Sequence, residues 1–149
     1  MRTTLIVAGI AMLMATVPVM AHHAFSAEFD ANRPVQLTGT VTKVEWINPH
    51  AWIHLRAQTA DGGEEIWMVE GGTPNTLFRR GFTKTSLSPG TEIVVDGYQS
   101  KDRSGAGTEQ SPLKANGRNI TFLDGRKLFL GSSGTGAPTD GADPTEPPR

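Results

Sequence analysis

The stretch AWIHLRAQT, at residues 51–59, alternates apolar with polar or aromatic side chains. Ala51, Ile53 and Leu55 fall on one side of the chain, and the residues between them fall on the other. A period of two residues is typical of a β-strand that has one face in a core. The stretch therefore predicts a half-buried strand. Its other face carries four side chains: His50, Trp52, His54 and Arg56.

Segments on either side of this strand also have strand character, because β-branched and apolar residues are frequent in them. The last segment contains Asp124-Gly125, a dipeptide favoured in tight hairpins, so we expect the fifth strand to end in a hairpin there. The four further strands are expected at residues 35–46, 65–70, 91–98 and 119–130.

A short helix is predicted between the third and fourth strands. Thr73 is a capping residue, Pro74 stands at the first helical position, and Gly81 ends the segment. Three strands, one helix and two strands follow one another in an OB-fold, a small and partly open barrel. We therefore expect an all-β, OB-like barrel of five strands with one short helix between strands three and four. Another small barrel, or a sandwich with one more strand, stays open.

The N-terminal end differs in character from this core. Arg2 precedes an apolar run that continues to Pro18, and small residues follow as far as Ala21. The run is shorter than the roughly 20 residues that span a bilayer, and it is typical of a signal peptide. We therefore predict cleavage after Ala21 and export to the periplasm, with no membrane anchor on the product. An uncleaved anchor is the alternative.

The rest of the chain divides into three parts by composition. Residues 22–36 form an N-terminal segment, and residues 37–130 form the β domain. In the tail, residues 131–149, four Gly and four Pro among 19 residues leave little to bury. Such a composition predicts disorder.

Composition and motifs limit the classes of function. The 149 residues carry 14 basic and 15 acidic side chains, for a net charge of -1. Without residues 1–21 the count is 13 basic against 15 acidic residues, or -2, so no basic surplus exists for binding nucleic acid. The lack of cysteine excludes disulfides and thiolate chemistry. No nucleophile elbow, phosphate loop or His-Glu-x-x-His motif occurs, so we predict that the protein is not an enzyme.

Several short motifs lie along the chain from residue 22 to residue 127. They are HHAF at 22–25, LTGTV at 37–41, NPHAW at 48–52, PN at 74–75 with Leu77, RRG at 79–81 and LDGRK at 123–127. With these motifs, about residues 22–131 resemble one family of exported bacterial proteins, the domain of unknown function numbered 6152. The resemblance implies export, a small β domain and a role for the histidine and tryptophan positions, and it implies no substrate.

The histidines predict a metal site. If cleavage occurs after Ala21, His22 offers its α-amine and its imidazole to one ion, and His23 adds a neighbouring donor. Copper(II) suits these nitrogen ligands best, although zinc and nickel accept them. His50 and His54 would lie about 13 Å apart on a straight strand, so we expect only one of them to join His22.

A carboxylate such as Glu28 or Asp30 could complete this copper set. Ordinary structural roles are an alternative, because histidines at half-exposed strand positions often bind backbone and water. Sensing of pH and recognition of a polar ligand also stay open. A copper oxidase that uses His22 in a nitrogen brace is a further hypothesis, for which no substrate groove is evident in the sequence.

Aromatic residues give a second functional hypothesis. Trp46, Trp52 and Trp67 fall on the three strands with which an OB-fold binds ligands, and Asn48 lies in the turn between two of them. Stacking on such rings would suit a glycan or a periplasmic protein partner. Alternatively, two of the three rings fill the core.

The predicted helix carries two more candidate residues. Asn75 and Arg79 lie one helical turn apart and could bind an anion or a partner. The alternative is that they merely cap and solubilise the helix.

Overall fold

The computed structural model describes residues 25–145. These residues form six strands and two short helices, and no helix among them is long and apolar enough to cross a membrane. The predicted signal peptide and the histidines at 22 and 23 lie outside the described residues. The elements are α1 (Phe25–Glu28), β1 (Phe29–Glu45), β2 (Trp52–Gln58), β3 (Glu64–Glu70), α2 (Pro74–Arg79), β4 (Glu92–Ser100), β5 (Leu113–Phe122) and β6 (Lys127–Phe129).

The strands form one sheet whose hydrogen bonds close into a ring. β1 pairs antiparallel with β2 and β4, β2 pairs with β3, and β4 pairs with β5. A parallel pairing of β3 with β5 joins the two ends. The predicted mostly β fold is confirmed. The strand number of five is wrong, because the residues after the Asp124-Gly125 turn pair with β5 as a strand of their own, β6.

Two strands begin earlier than predicted. β1 starts at Phe29, because its pairing with β4 resumes at Ser100 beyond an irregularity in register. This strand and α1 therefore occupy most of the predicted N-terminal segment. β5 starts at Leu113, before the predicted start at residue 119, because it pairs there with Trp67 of β3. Pairing with neighbouring strands thus extends β1 and β5 beyond the residues with a strong strand preference of their own, since strand preference depends strongly on context.

The core lies inside the ring. Ala51, Ile53 and Leu55 are fully buried, as the alternation in β2 predicts, and Leu77 packs among them from α2. The predicted helix is confirmed, with the Thr73 side chain accepting a hydrogen bond from the backbone of the following turn. Burial of these apolar side chains is the main stabilising contribution to the fold.

A second apolar cluster lies outside the ring and was not predicted. α1 places Phe25 against Phe29 and Tyr98, with ring centroids 5.8 and 5.4 Å apart. Phe25 and Phe29 are both buried, although neither belongs to the main core. This cluster holds α1 on the outer face of the sheet.

Residues 131–145 lie against the sheet, although their composition predicts disorder. The Phe25 N–H donates to the Thr135 carbonyl over 2.9 Å, and Arg118 donates to both carboxylate oxygens of Asp140. These partners come from distant parts of the chain, so composition alone does not reveal them. The last four residues of the predicted disordered tail lie outside the described range.

Candidate functional site

A cavity of about 50 Å³ lies where α1 covers the outer face of the sheet. A water molecule needs roughly 10–15 Å³ of such space, so the cavity has room for an ion or a few waters. It is far smaller than the roughly 300 Å³ or more of a typical small-molecule pocket. Its lining consists of Phe25, Glu28, Phe29, His50, Glu70, Asn116 and Thr135.

His50 has a defined orientation in this cavity. Its Nδ1 atom lies 3.1 Å from the Gly71 carbonyl oxygen and 3.5 Å from Oε1 of Glu70. A carbonyl oxygen can only accept a hydrogen bond, so the neutral imidazole carries its proton on Nδ1. The lone pair is then on Nε2, which is the arrangement found in metal-binding histidines.

Two buried polar residues from the paired strands β3 and β5 stand beside His50. Glu70 is 8% exposed and Asn116 is 5% exposed, and the two residues face each other in the strand register. Both residues also line the cavity. Glu28 adds a second carboxylate from α1. The lining of the cavity therefore includes two acidic residues and one histidine.

The structure does not bring His54 to this cavity. Its Nε2 atom is buried, has no hydrogen bond among the residues described, and lies 3.4 Å from Oε1 of Glu45. Glu45 also accepts a hydrogen bond from Lys43, which is the largest cause of a lowered pKa for that carboxyl group. His50 and His54 thus contact different carboxylates.

The remaining predicted metal ligands are Asp30, His22 and His23. Asp30 lies elsewhere, in an ion pair with Arg103 at 3.1 Å. His22 and His23 are outside the described residues, but His22 precedes the cavity residue Phe25 by only three positions. Within residues 25–145, no group of three or more His, Cys, Asp or Glu is arranged to hold a metal ion.

The three tryptophans do not share a surface. Trp67 is buried in the core, where its indole N–H donates to Glu65 over 3.2 Å. Trp46 packs on Phe78 of α2 with ring centroids 5.0 Å apart. Trp52 is half-buried on the outer face of β2. A stacking surface of three rings is therefore not formed, because β2 and β3 turn their tryptophans to opposite faces.

The other predicted binding residues lie on the surface. Asn48 is exposed in the turn before β2, next to a cis peptide bond to Pro49. Asn75 and Arg79 are exposed on α2, and Arg79 donates to the Thr76 hydroxyl over 3.2 Å. This contact within the helix fits the capping and solubilising alternative.

Sequence reasoning missed a second polar cluster, which surrounds Phe129 of β6. The guanidinium groups of Arg80 and Arg118 lie 4.6 and 4.8 Å from the centre of its ring. Arg118 is only 2% exposed, and it donates to Asp140 through Nε and Nη2 at 3.3 Å each. A charged residue inside the buried stretch of β5 was the available signal.

Comparison with known proteins gives a family. The family described as "Family of unknown function (DUF6152)" matches residues 11–110. The chain belongs to this family. The resemblance carried by the histidine and tryptophan motifs is thus confirmed. No curated protein and no solved structure matches the chain.

The DUF6152 match covers only part of the cavity lining and only part of the cluster around Phe129. Glu28, His50 and Glu70 fall inside the matched range, together with both N-terminal histidines. Asn116, Arg118 and the tail lie beyond it. The candidate metal donors are therefore all inside the family's range.

Proposed function

We propose that this protein is an exported binding module that holds a divalent transition metal, copper(II) first, in the cavity under α1. The observation that carries the proposal is the contact of His50 Nδ1 with the Gly71 carbonyl oxygen, because it leaves Nε2 with the lone pair. The same cavity contains the carboxylates of Glu28 and Glu70. A histidine whose other nitrogen is held by a carbonyl or carboxylate is typical of metal sites.

The N-terminal segment completes the proposed donor set. After cleavage at Ala21, His22 would supply an α-amine and an imidazole to the same ion. Phe25 already lines the cavity, and a chain spans at most about 3.6 Å per residue, so the three residue steps from Phe25 would let His22 approach His50. Nitrogen donors of this kind favour copper(II) over the other first-row divalent ions. His54 is no longer part of the proposed set.

We further infer that the ring of strands is an OB-like barrel that is exported to the periplasm. Support comes from the order of elements, with α2 between β3 and β4, and from the parallel β3–β5 pairing that closes the ring. The apolar run after Arg2 supports export.

The direct experiment compares two histidine variants. Protein that begins at His22 is titrated with copper(II) against a chelator of known affinity, as wild type, His50→Gln and His54→Gln. We expect one ion per chain, a loss of affinity of about tenfold or more in His50→Gln, and no change in His54→Gln. Unchanged affinity in His50→Gln, with the fold intact by circular dichroism, would overturn the proposal.

A second comparison tests the terminal amine. One additional residue before His22 moves the α-amine away from the imidazole while leaving the described residues untouched. We expect weaker copper binding in the extended protein. Equal binding in both proteins would remove the N-terminal chelate from the site and leave only the residues on the sheet and α1.

A further inference from the structure

The cluster around Phe129 contains a charge that the folded body cannot leave unpaired. Arg118 extends from β5, is 2% exposed and lies against the Phe129 ring. Removing a guanidinium from water is costly unless an anion accompanies it. Arg80 lies against the same ring, and burial is the largest cause of its lowered pKa. With the tail in place, the two cations therefore favour an anion beside them.

The tail supplies that anion through two acidic residues. Both carboxylate oxygens of Asp140 accept hydrogen bonds from Arg118, which is the paired geometry that arginine forms with carboxylates. Arg80 donates to the Ser133 hydroxyl over 2.6 Å, and Ser133 in turn donates to Asp143 over 2.8 Å. All of these contacts of the tail are hydrogen bonds between polar side chains.

The attachment of the tail involves no buried apolar side chain. Between residues 131 and 145 only Gly131 and Asp143 are buried. Segments with few buried apolar contacts open at low free-energy cost compared with a core. The two arginines thus belong to the folded body, whereas their anion comes from a segment with few buried apolar contacts.

We propose that Arg80, Arg118 and Phe129 form a recognition site for an acidic peptide, and that the protein's own tail occupies this site. The peptide it selects carries two carboxylates three residues apart, as Asp140 and Asp143 are. The two small residues Gly141 and Ala142 separate them. An acidic segment of a partner protein displaces the tail and takes over the pairing with Arg118. The proposal does not rest on metal binding, although Thr135 of the tail also lines the cavity under α1.

Peptide binding to the full chain tests this assignment without any metal. A fluorescent peptide with the sequence of residues 131–149 is titrated into wild type and into Asp140→Asn/Asp143→Asn. In wild type the attached tail competes at an effective concentration of about millimolar. We therefore expect the peptide to bind the double variant about tenfold tighter or more, and more weakly as salt rises.

Two controls make the result specific. The same peptide with both aspartates replaced by asparagine should not bind the double variant. Asp124→Asn, which alters an exposed pair with Arg126 over the Phe122 ring, should bind the peptide no better than wild type does. Equal binding of the acidic and the neutral peptide to the double variant would overturn the proposal.

A thermal measurement covers the case in which the double variant is less stable. A ligand that binds only the folded state raises the unfolding midpoint. We expect the acidic peptide to raise the midpoint of the double variant, and to raise it less once Arg80→Gln is added, because Arg118 still pairs with the peptide. If the acidic peptide neither binds nor shifts the midpoint, the site is a structural ion pair only and the proposal is wrong.

Discussion

The imidazole Nδ1 atom of His50 lies 3.1 Å from the carbonyl oxygen of Gly71. This contact joins the start of β2 to the end of β3. Two backbone hydrogen bonds support it, because the Gly71 N–H donates to Ala51 over 2.8 Å and the Ala51 N–H donates to Gly72 over 3.0 Å. The ring of His50 is therefore held by a rigid part of the sheet, as a preorganised binding site requires.

Glu70→Gln is expected to weaken metal binding while preserving the shape of the side chain. The carboxylate lies 3.5 Å from His50 Nδ1 and lines the cavity, so its charge would favour a bound cation. Loss of a carboxylate partner to a metal-binding histidine typically costs about 10- to 100-fold in affinity. The measurement is a copper titration of protein that begins at His22.

Glu65→Gln is the matched control for this titration. Glu65 belongs to the same strand, but its partner is the Trp67 indole and it does not line the cavity. Its copper affinity should equal that of wild type. If Glu70→Gln and Glu65→Gln both bind copper as wild type does, Glu70 is not part of the site.

Phe25→Ala should reduce both stability and metal affinity. The side chain is 3% exposed and anchors α1 to Phe29 and Tyr98. Truncation of a buried phenylalanine costs about 3 kcal/mol or more of unfolding free energy, and it would also remove one wall of the cavity. Urea unfolding and copper titration of the same preparation check the two effects.

Leu123→Ala serves as the comparison for that variant. Leu123 is 80% exposed at the hairpin before β6, so its truncation should change the unfolding free energy by less than about 0.5 kcal/mol. A Phe25→Ala protein as stable as Leu123→Ala would contradict the described packing of α1.

Attachment of the tail to the rest of the protein should weaken as the pH falls. Burial alone would raise the pKa of Asp140, but hydrogen bonds from Arg118 and from the Ala142 N–H bring the pKa below its usual value. A carboxyl group with a lowered folded pKa adds stability above its unfolded pKa of about 3.9, and that stability is lost as the pH falls through the folded pKa. Tyr98 also faces Asp140, and it stays uncharged in this range because its pKa is raised, chiefly by burial.

Amide hydrogen exchange of residues 131–145 measures this attachment. Protection should be constant between about pH 7 and pH 5, and it should fall as the pH drops below the unfolded pKa of about 3.9 towards the lowered pKa values of Asp140 and Asp143. Asp143 behaves alike: burial raises its pKa, but hydrogen bonds from Thr145 and Ser133 lower it on balance. A loss of protection between pH 7 and pH 5 would show that other groups control the attachment.

The predictions of the fold succeeded where the pattern was local. Alternation in β2 gave the buried face correctly, and the cap residues of α2 were recognisable in the sequence. β6 was merged with the preceding strand, because a three-residue strand has too short a pattern to stand out. β5 starts early, at Leu113, because this residue pairs with a parallel strand that is distant in the sequence. The residues around Leu113 carry no pattern that predicts such a pairing.

The residues of the candidate site, like the strands, were predicted only where the signal lies in the nearby sequence. His50 was a candidate from the sequence, whereas Glu70 and Asn116 were not. They meet only because β3 and β5 pair in one particular register. Arg118 was missed for a similar reason, since its partner Asp140 lies in a segment whose composition predicts disorder.

Anomalous diffraction at the copper edge tests the central claim most directly. Crystals of protein that begins at His22 would be grown with one equivalent of copper(II). The account predicts a single peak in the cavity under α1, about 2 Å from Nε2 of His50. Copper bound beside His54 and Glu45, with no peak near His50, would contradict it.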